Sequence, residues 1–211
     1  MQINSNDRRQ LTRIASEAKT ALQATGLTVY ADRGYYQSEE IRACELKGIV
    51  TYVPKSRTSN SEAAGLFAKK DFIYRKSNDD YVCPAGESLS RRTRTKQGTL
   101  VIDRYWSSNC KSCKLKSRCT TGKERRVSRW EHEDVLDRAQ QRIDRQPNAM
   151  RIRRAIVEHP FGTLKGWMGS THFLTKSLPR VSTEMSLHVL AYNMKRVINL
   201  IGTQKLIEAI Q

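Results

Sequence analysis

The sequence predicts an α/β fold that carries an inserted β-rich module and ends in helices. Three observations predict it. Two short apolar runs, LTVYA (27–31) and IVTYV (49–53), flank one helix-patterned segment; helical periodicity fades across 55–130; and it returns from about Glu131 onward. The expected organisation is therefore a helix-strand-helix-strand core over 1–54, a Cys-rich β-rich insertion over 55–130, and a helical part over 131–211.

The first helix is predicted over 7–25. Leu11, Ile14, Ala18 and Leu22 recur at helical spacing, Asn6 or Asp7 can cap the start, and Gly26 can end it. A second helix is expected from Ser38, with Ile41, Cys44 and Leu46 among its apolar positions, and Gly48 stops it. Two apolar strands joined by a helix of this length form a βαβ unit, whose strands are usually parallel and buried. In the insertion, FIYR, YVCPAGE and TLVIDRYW read as short strands between polar turns. Beyond it, a helix over 131–146 carries Val135, Leu136, Ala139 and Ile143. Pro147 suits the first turn of the next. A last helix over 183–201 places Leu187, Leu190, Ala191, Met194, Ile198 and Ile201 on one face, with Gly202 as its stop.

Composition narrows the function. The 211 residues include 38 Lys and Arg against 21 Asp and Glu, a formal charge of +17. Such an excess attracts a phosphate backbone, so nucleic acid is the expected partner; a merely solvated basic face is the bland alternative. No run approaches the roughly 20 apolar residues of a membrane helix. The first residues carry no apolar signal core, and a cytoplasmic location is expected. Five cysteines, an odd number, argue against a disulfide framework.

Two motifs carry chemistry. Asp32, in YADRGYY, follows the first strand, where open α/β sheets place functional groups, although an Asp there also serves simply as a turn cap. In RIRRAIVEHPFGTLKG (151–166), Arg154, Glu158 and Lys165 fall on nearly one face of a helix. That pattern reads as a surface salt-bridge ladder or as a metal-binding carboxylate beside phosphate-binding cations. Pro160 should kink that helix or start a new one.

The cysteines form a third constellation. Cys110 and Cys113 make a C-x2-C knuckle, with Cys119 after it and Cys83 before it. Four thiolates suit a tetrahedral Zn2+, and the alternative is a set of reduced, unligated cysteines. Cys44 is expected in the core. His132, His159, His172 and His188 have no partner at ligand spacing, and His188 is expected to be packed or half-exposed.

ADRGYY, SEEIRAC, GIVTYVPK, the Cys-rich insert and VEHPFGTLK, in this order, resemble the transposases of the IS4 superfamily, closest to the IS1182 group. The resemblance runs from NDRRQL to YNMKRVINLIG. It implies an RNase H-like domain in which three carboxylates bind two Mg2+ (or Mn2+) ions for DNA cleavage and strand transfer at insertion-sequence ends. Asp32 matches the second Asp and Glu158 the Glu. Arg154 and Lys165 match the Arg and Lys of the signature Y-x2-R-x3-E-x6-K, and Arg151 stands at its Tyr position. These three basic residues are expected to contact DNA. The first Asp and the first three strands of the resembled domain have no counterpart here. The expectation is a partial RNase H-like domain, a truncated fragment unable to cut DNA. A homodimer or a complementing N-terminal fragment fits that expectation. A non-enzymatic, zinc-stabilised nucleic-acid-binding module is the rival reading.

Overall fold

The computed structural model describes residues 7–55 and 60–210, so Asn6 lies outside the described residues. The chain divides into two compact units, Met1–Gln146 and Pro147–Gln211.

The first unit opens with a single 3-10 turn, Asp7–Arg9, and then helix α1 (Leu11–Ala21). Strand β1 (Leu27–Tyr30), helix α2 (Ser38–Leu46) and strand β2 (Ile49–Tyr52) follow. The two strands pair in parallel, Leu27 opposite Ile49 through Tyr30 opposite Tyr52, as the βαβ pattern requires. The Tyr30 and Tyr52 rings stack at 4.8 Å beside the crossover. Glu39 and Glu40 in the first turn of α2 oppose its dipole favourably, and Gly48 takes φ +65° after its end.

The predicted face of α1 needs correction. Leu11 is buried, but Ala15 is the other buried residue, whereas Ile14 and Leu22 are exposed. Polar anchors set the rotation. Thr12 N–H donates to Glu40 Oε2 at 2.7 Å and Thr12 Oγ1 donates to the Glu40 carbonyl at 3.2 Å, which turns the Leu11–Ala15 edge onto Cys44. The small Ala15 permits close helix approach, and Cys44 is fully buried, as expected.

A short helix α3 (Asn60–Ala63) precedes an antiparallel sheet of five strands in simple sequential order. These are β3 (Ile73–Arg75), β4 (Asp80–Val82), β5 (Ser88–Gln97), β6 (Leu100–Trp106) and β7 (Val127–Trp130). The one-turn helix α4 (Lys116–Cys119) lies between β6 and β7. One face of the sheet carries Tyr81, Leu89, Tyr105 and Val127, which with Phe72 form its core. Tyr74 and Tyr105 donate to Asp79 Oδ1 at 2.9 and 2.7 Å, which pins the β3–β4 turn where Asp79 takes φ +48°.

Helix α5 (Glu133–Arg145) returns the chain to the first core, where Val135 and Ala139 join Ile41, Cys44, Ile49 and Val53. Thus 60–130 forms a β-rich module within the first unit, and α5 belongs to the unit's α/β core. The return is fixed by Glu133: its Oε2 accepts from Trp130 N–H at 2.9 Å, and its Oε1 accepts from Lys69 Nζ. Burial lowers the Lys69 pKa, and the Glu133 carboxylate opposes that fall.

The second unit begins with α6 (Ala149–Arg153), which runs without a break through a π-helical turn (Arg154–Glu158) into α7 (His159–Gly162) and a second π-turn (Thr163–Trp167). Helix α8 (Leu178–Ile201) starts five residues earlier than expected, with Pro179 in its first turn, and Gly202 ends it at φ +83°. Helix α9 (Thr203–Ile210) was not expected. Leu187, Leu190, Met194 and Ile201 of α8 remain exposed, so the apolar face anticipated there is uncovered. No helix among the described residues is long and apolar enough to cross a membrane.

Removing Glu133 would strand the partly buried Lys69 cation and orphan the Trp130 N–H. Glu133→Ala is expected to destabilise the first unit by about 3 kcal/mol, read as a lowered urea midpoint at unchanged slope. A second expectation concerns acid. Hydrogen bonds from Arg75, then Ser88, hold the Asp80 carboxyl at about 2. The folded pKa lies below the unfolded value of roughly 3.9, so this stabilisation is present above that value and is lost as pH falls toward the folded one. Asp80→Asn should flatten acid unfolding between about pH 4 and 2.

Candidate functional site

Asp32 sits two residues beyond β1, exposed, at the carboxyl end of the strand pair. Its Oδ1 accepts from Gly34 N–H at 2.7 Å and so starts the 3-10 turn Arg33–Tyr35. A Cβ at Gly34 would lie 2.9 Å from that oxygen, so a larger residue there would push the Asp32 carboxylate out of this cap. The turn-capping role is therefore real, and it occupies one oxygen. No further hydrogen bond reaches this carboxylate among the described residues. Its charge, with that of Asp7 and after burial, raises the pKa of Tyr35.

Glu158 is exposed and closes the π-turn. Its partner is Arg153, whose Nη2 donates to Oε1, and no ion pair joins it to Arg154, Arg151 or Lys165. The reason is the register. A π-turn bonds each N–H five residues back, here His159 N–H to the Arg154 carbonyl, so the neighbour one turn below Glu158 is Arg153. Pro160 supplies the physical cause: it has no N–H to give, so the helix passes through it by widening. Arg151, Arg154 and Lys165 are exposed on the same continuous segment, with no carboxylate partner among the described residues. Helical spacing hid the role of Arg153, and Pro160 was the signal that the spacing would fail.

Asp32 and Glu158 belong to different compact units. Among the described residues no group of three or more His, Cys, Asp or Glu side chains is disposed to hold a metal ion.

Cys83, Cys110, Cys113 and Cys119 do come together, lining one pocket with Phe67, Phe72 and Leu89. Three separate pieces of backbone bring them there. Cys83 follows β4 and opens a tight turn closed by Gly86 N–H on its carbonyl at 2.8 Å. Cys110 lies within the 3-10 turn Ser108–Ser112, whose start Ser107 caps, and Cys113 follows its end. Cys119 ends α4. Burial raises the Cys119 thiol; Arg125 opposes this, and the other three cysteines add to it. The thiols share a pocket wall in reduced form without forming a coordination group. The histidines hold no such position. His188 is half-buried, with Nδ1 2.8 Å from Ser170 Oγ, and His159 is exposed.

The basic charge excess, the helical segment that carries EHPFG and the cysteine-bearing β module fit the transposase class. Residues 82–198 match the family model described as "Transposase DDE domain", and the chain belongs to that family. The match contains Glu158, its basic neighbours and all four pocket cysteines, and Asp32 lies before it. Membership implies DNA as partner and divalent metal as cofactor. No curated protein and no solved structure matches the chain.

Proposed function

We propose that this protein is a transposase of the IS4 superfamily, closest to the IS1182 group, acting in DNA cleavage and strand transfer at insertion-sequence ends. The observation that carries the reading is the family match over 82–198, which contains Glu158 on its basic helical segment. Asp32 and Glu158 are assigned as two carboxylates of an RNase H-like DDE site, and a third is needed to complete it. The donor set suits the metal: Mg2+ and Mn2+ are hard ions that prefer carboxylate oxygen, and both side chains are exposed, with Asp32 Oδ2 uncommitted. When bound, a metal pair would activate the attacking oxygen and stabilise the leaving one. Arg154, Lys165 and Arg151 would hold the phosphodiester backbone against the carboxylates. Arg153 would keep the Glu158 side chain extended until a metal replaces it as counter-charge. A cytoplasmic location belongs to the same reading and is consistent with a transposase domain.

The division into 1–54, 55–130 and 131–211 is retained as a functional one: carboxylate-bearing core, cysteine module, and Glu-bearing helical part. Zn2+ belongs to the same reading, held by Cys83, Cys110, Cys113 and Cys119. The support is the donor set, four thiols facing one pocket. Coordination requires those side chains to rotate toward a common point and to lose their protons. The uncovered apolar face of α8 supports a homodimer or a complementing N-terminal fragment as protein partner. The rival reading, a zinc-stabilised module that binds nucleic acid without cutting it, is favoured by one observation: Asp32 already serves its turn through Oδ1.

Two experiments separate these readings. The chain alone should bind insertion-end duplexes without nicking them in Mg2+ or Mn2+; nicking restored by a complementing segment that carries the third carboxylate should fall to background in Asp32→Asn and in Glu158→Gln. Nicking that survives both substitutions rejects the carboxylate assignment, and binding without any nicking even in the presence of that segment favours the rival. The purified protein should also carry about one zinc per chain by elemental analysis, and Cys113→Ser should lose it. Equal metal content in the two proteins removes this ligand set.

A further inference from the structure

The five-stranded sheet has a second face, opposite its aromatic core. Pairing places Ser90 opposite Trp106, Thr93 opposite Arg104, and Arg104 opposite Ser128, so these side chains share one face. Ser88 and Thr95 extend it along β5 by alternation. Ser88, Ser90, Thr93 and Ser128 are exposed, and Arg104 and Trp106 are half-exposed. Trp130, opposite Ile102 at one end of this face, and Asp80 are buried, but the part around Ser90, Thr93, Arg104 and Ser128 is open. Ser90, Thr93, Ser128 and Arg104 present hydroxyl or guanidinium groups there, and an apolar partner would leave those groups unpaired, whereas Ser88 and Thr95 already donate to Asp80 and to the Ile102 carbonyl.

The arginines of the sheet fall into two sets. On the core side, Arg94 binds Asp103 and Glu131, Arg91 binds Asp79 and Asp103, and Arg129 binds Asp137 while stacking on Tyr74 at 3.9 Å. Those cations are spent within the fold. Arg104 and Arg92 have no carboxylate partner among the described residues. Arg92 is the extra residue of the bulge between Arg91 and Thr93, and its Nε donates to the Trp106 carbonyl at 3.5 Å, which brings it alongside that residue. Arg126 lies over the Trp106 ring at 4.9 Å, flattened against the indole and also bound to Glu124. The carboxylate on this face, Asp80, is ion-paired with Arg75 and accepts a hydrogen bond from Ser88.

Unspent guanidinium groups among short hydroxyls are the donor set that phosphate oxygens take from proteins. A bulge that strengthens local twist lets such a ribbon follow a curved backbone. We propose that the open face of this sheet, around Arg104, Arg92 and the Arg126-covered Trp106, docks the phosphate backbone of duplex DNA without reading its sequence. The proposal rests on the transposase reading above for the identity of the polyanion. It places a second DNA contact in the cysteine module, separate from the Glu158 segment.

The test uses the full chain and a labelled duplex of arbitrary sequence, with binding followed by fluorescence anisotropy from low to high salt. Each lost phosphate contact lowers the slope of log Kobs against log salt by about 0.9, so R92Q/R104Q should reduce its magnitude by about 2. R92K/R104K keeps the charges and should restore most of that slope. R9Q/R13Q, which removes two charges near α1, should leave it unchanged. A wild-type slope in R92Q/R104Q overturns the proposal, as does an equal fall in R9Q/R13Q, which would mark a general charge effect. A wild-type chain that binds no duplex overturns the DNA reading together with this one. The catalytic assignment is read from nicking in Asp32→Asn and Glu158→Gln and the docking face from the salt slope of R92Q/R104Q, so the two fail separately.

Discussion

The Glu133 carboxylate is the constraint on which the first unit depends. It stands where the chain leaves the antiparallel sheet and re-enters the α/β core, and it makes two bonds there. One ends β7 by accepting the Trp130 N–H, and the other binds Lys69 just before β3 begins. Both ends of the inserted sheet are thereby tied to the first turn of α5. The direction of α5 follows from that tie, and Val135 and Ala139 are then presented to α2 and β2. A buried charge pair of this kind contributes little net stability but punishes alternatives, because any other entry of α5 would bury a carboxylate or an ammonium without its partner. The module can thus be long without loosening the core it interrupts.

Apolar patterning reached the parts of the fold where burial decides conformation. The βαβ unit was legible because Leu27–Tyr30 and Ile49–Tyr52 are short, β-rich and separated by one helix, and they do pair in parallel. It was less informative where polar groups decide. The rotation of α1 is set by Thr12 against Glu40, a contact between residues 28 apart in sequence that no periodicity contains, so Ala15 takes the place expected of Ile14. The face of α8 was legible as apolar but not as uncovered, since a stripe records the need for a partner and not its presence.

The candidate site shows the same limit at finer scale. Cysteine spacing indicated that four thiols meet, and they line one pocket. It carried nothing about rotamers, on which coordination depends. On the Glu158 segment the assumption of 3.6 residues per turn failed outright. Pro160 removes one hydrogen bond, the helix widens to the next available donor, and the carboxylate shifts by one residue onto Arg153. That shift frees Arg154, which the ladder reading would have bound to Glu158, to act as an exposed cation.

Paired and unpaired cations divide by place. The sheet arginines on the core face, Arg91, Arg94 and Arg129, are each matched by a carboxylate, since an unmatched charge there would be costly. On the open face and the Glu158 segment Arg75 and Arg153 are paired with Asp80 and Glu158, whereas Arg104, Arg151, Arg154 and Lys165 have no carboxylate partner among the described residues. Structural economy explains the first set but gives no reason for the second, because surface charges contribute little to folding. An excess of 17 positive charges is therefore not needed by the fold, and it raises self-repulsion within each copy. A polyanion would offset that repulsion, and DNA is the partner that membership of the family implies.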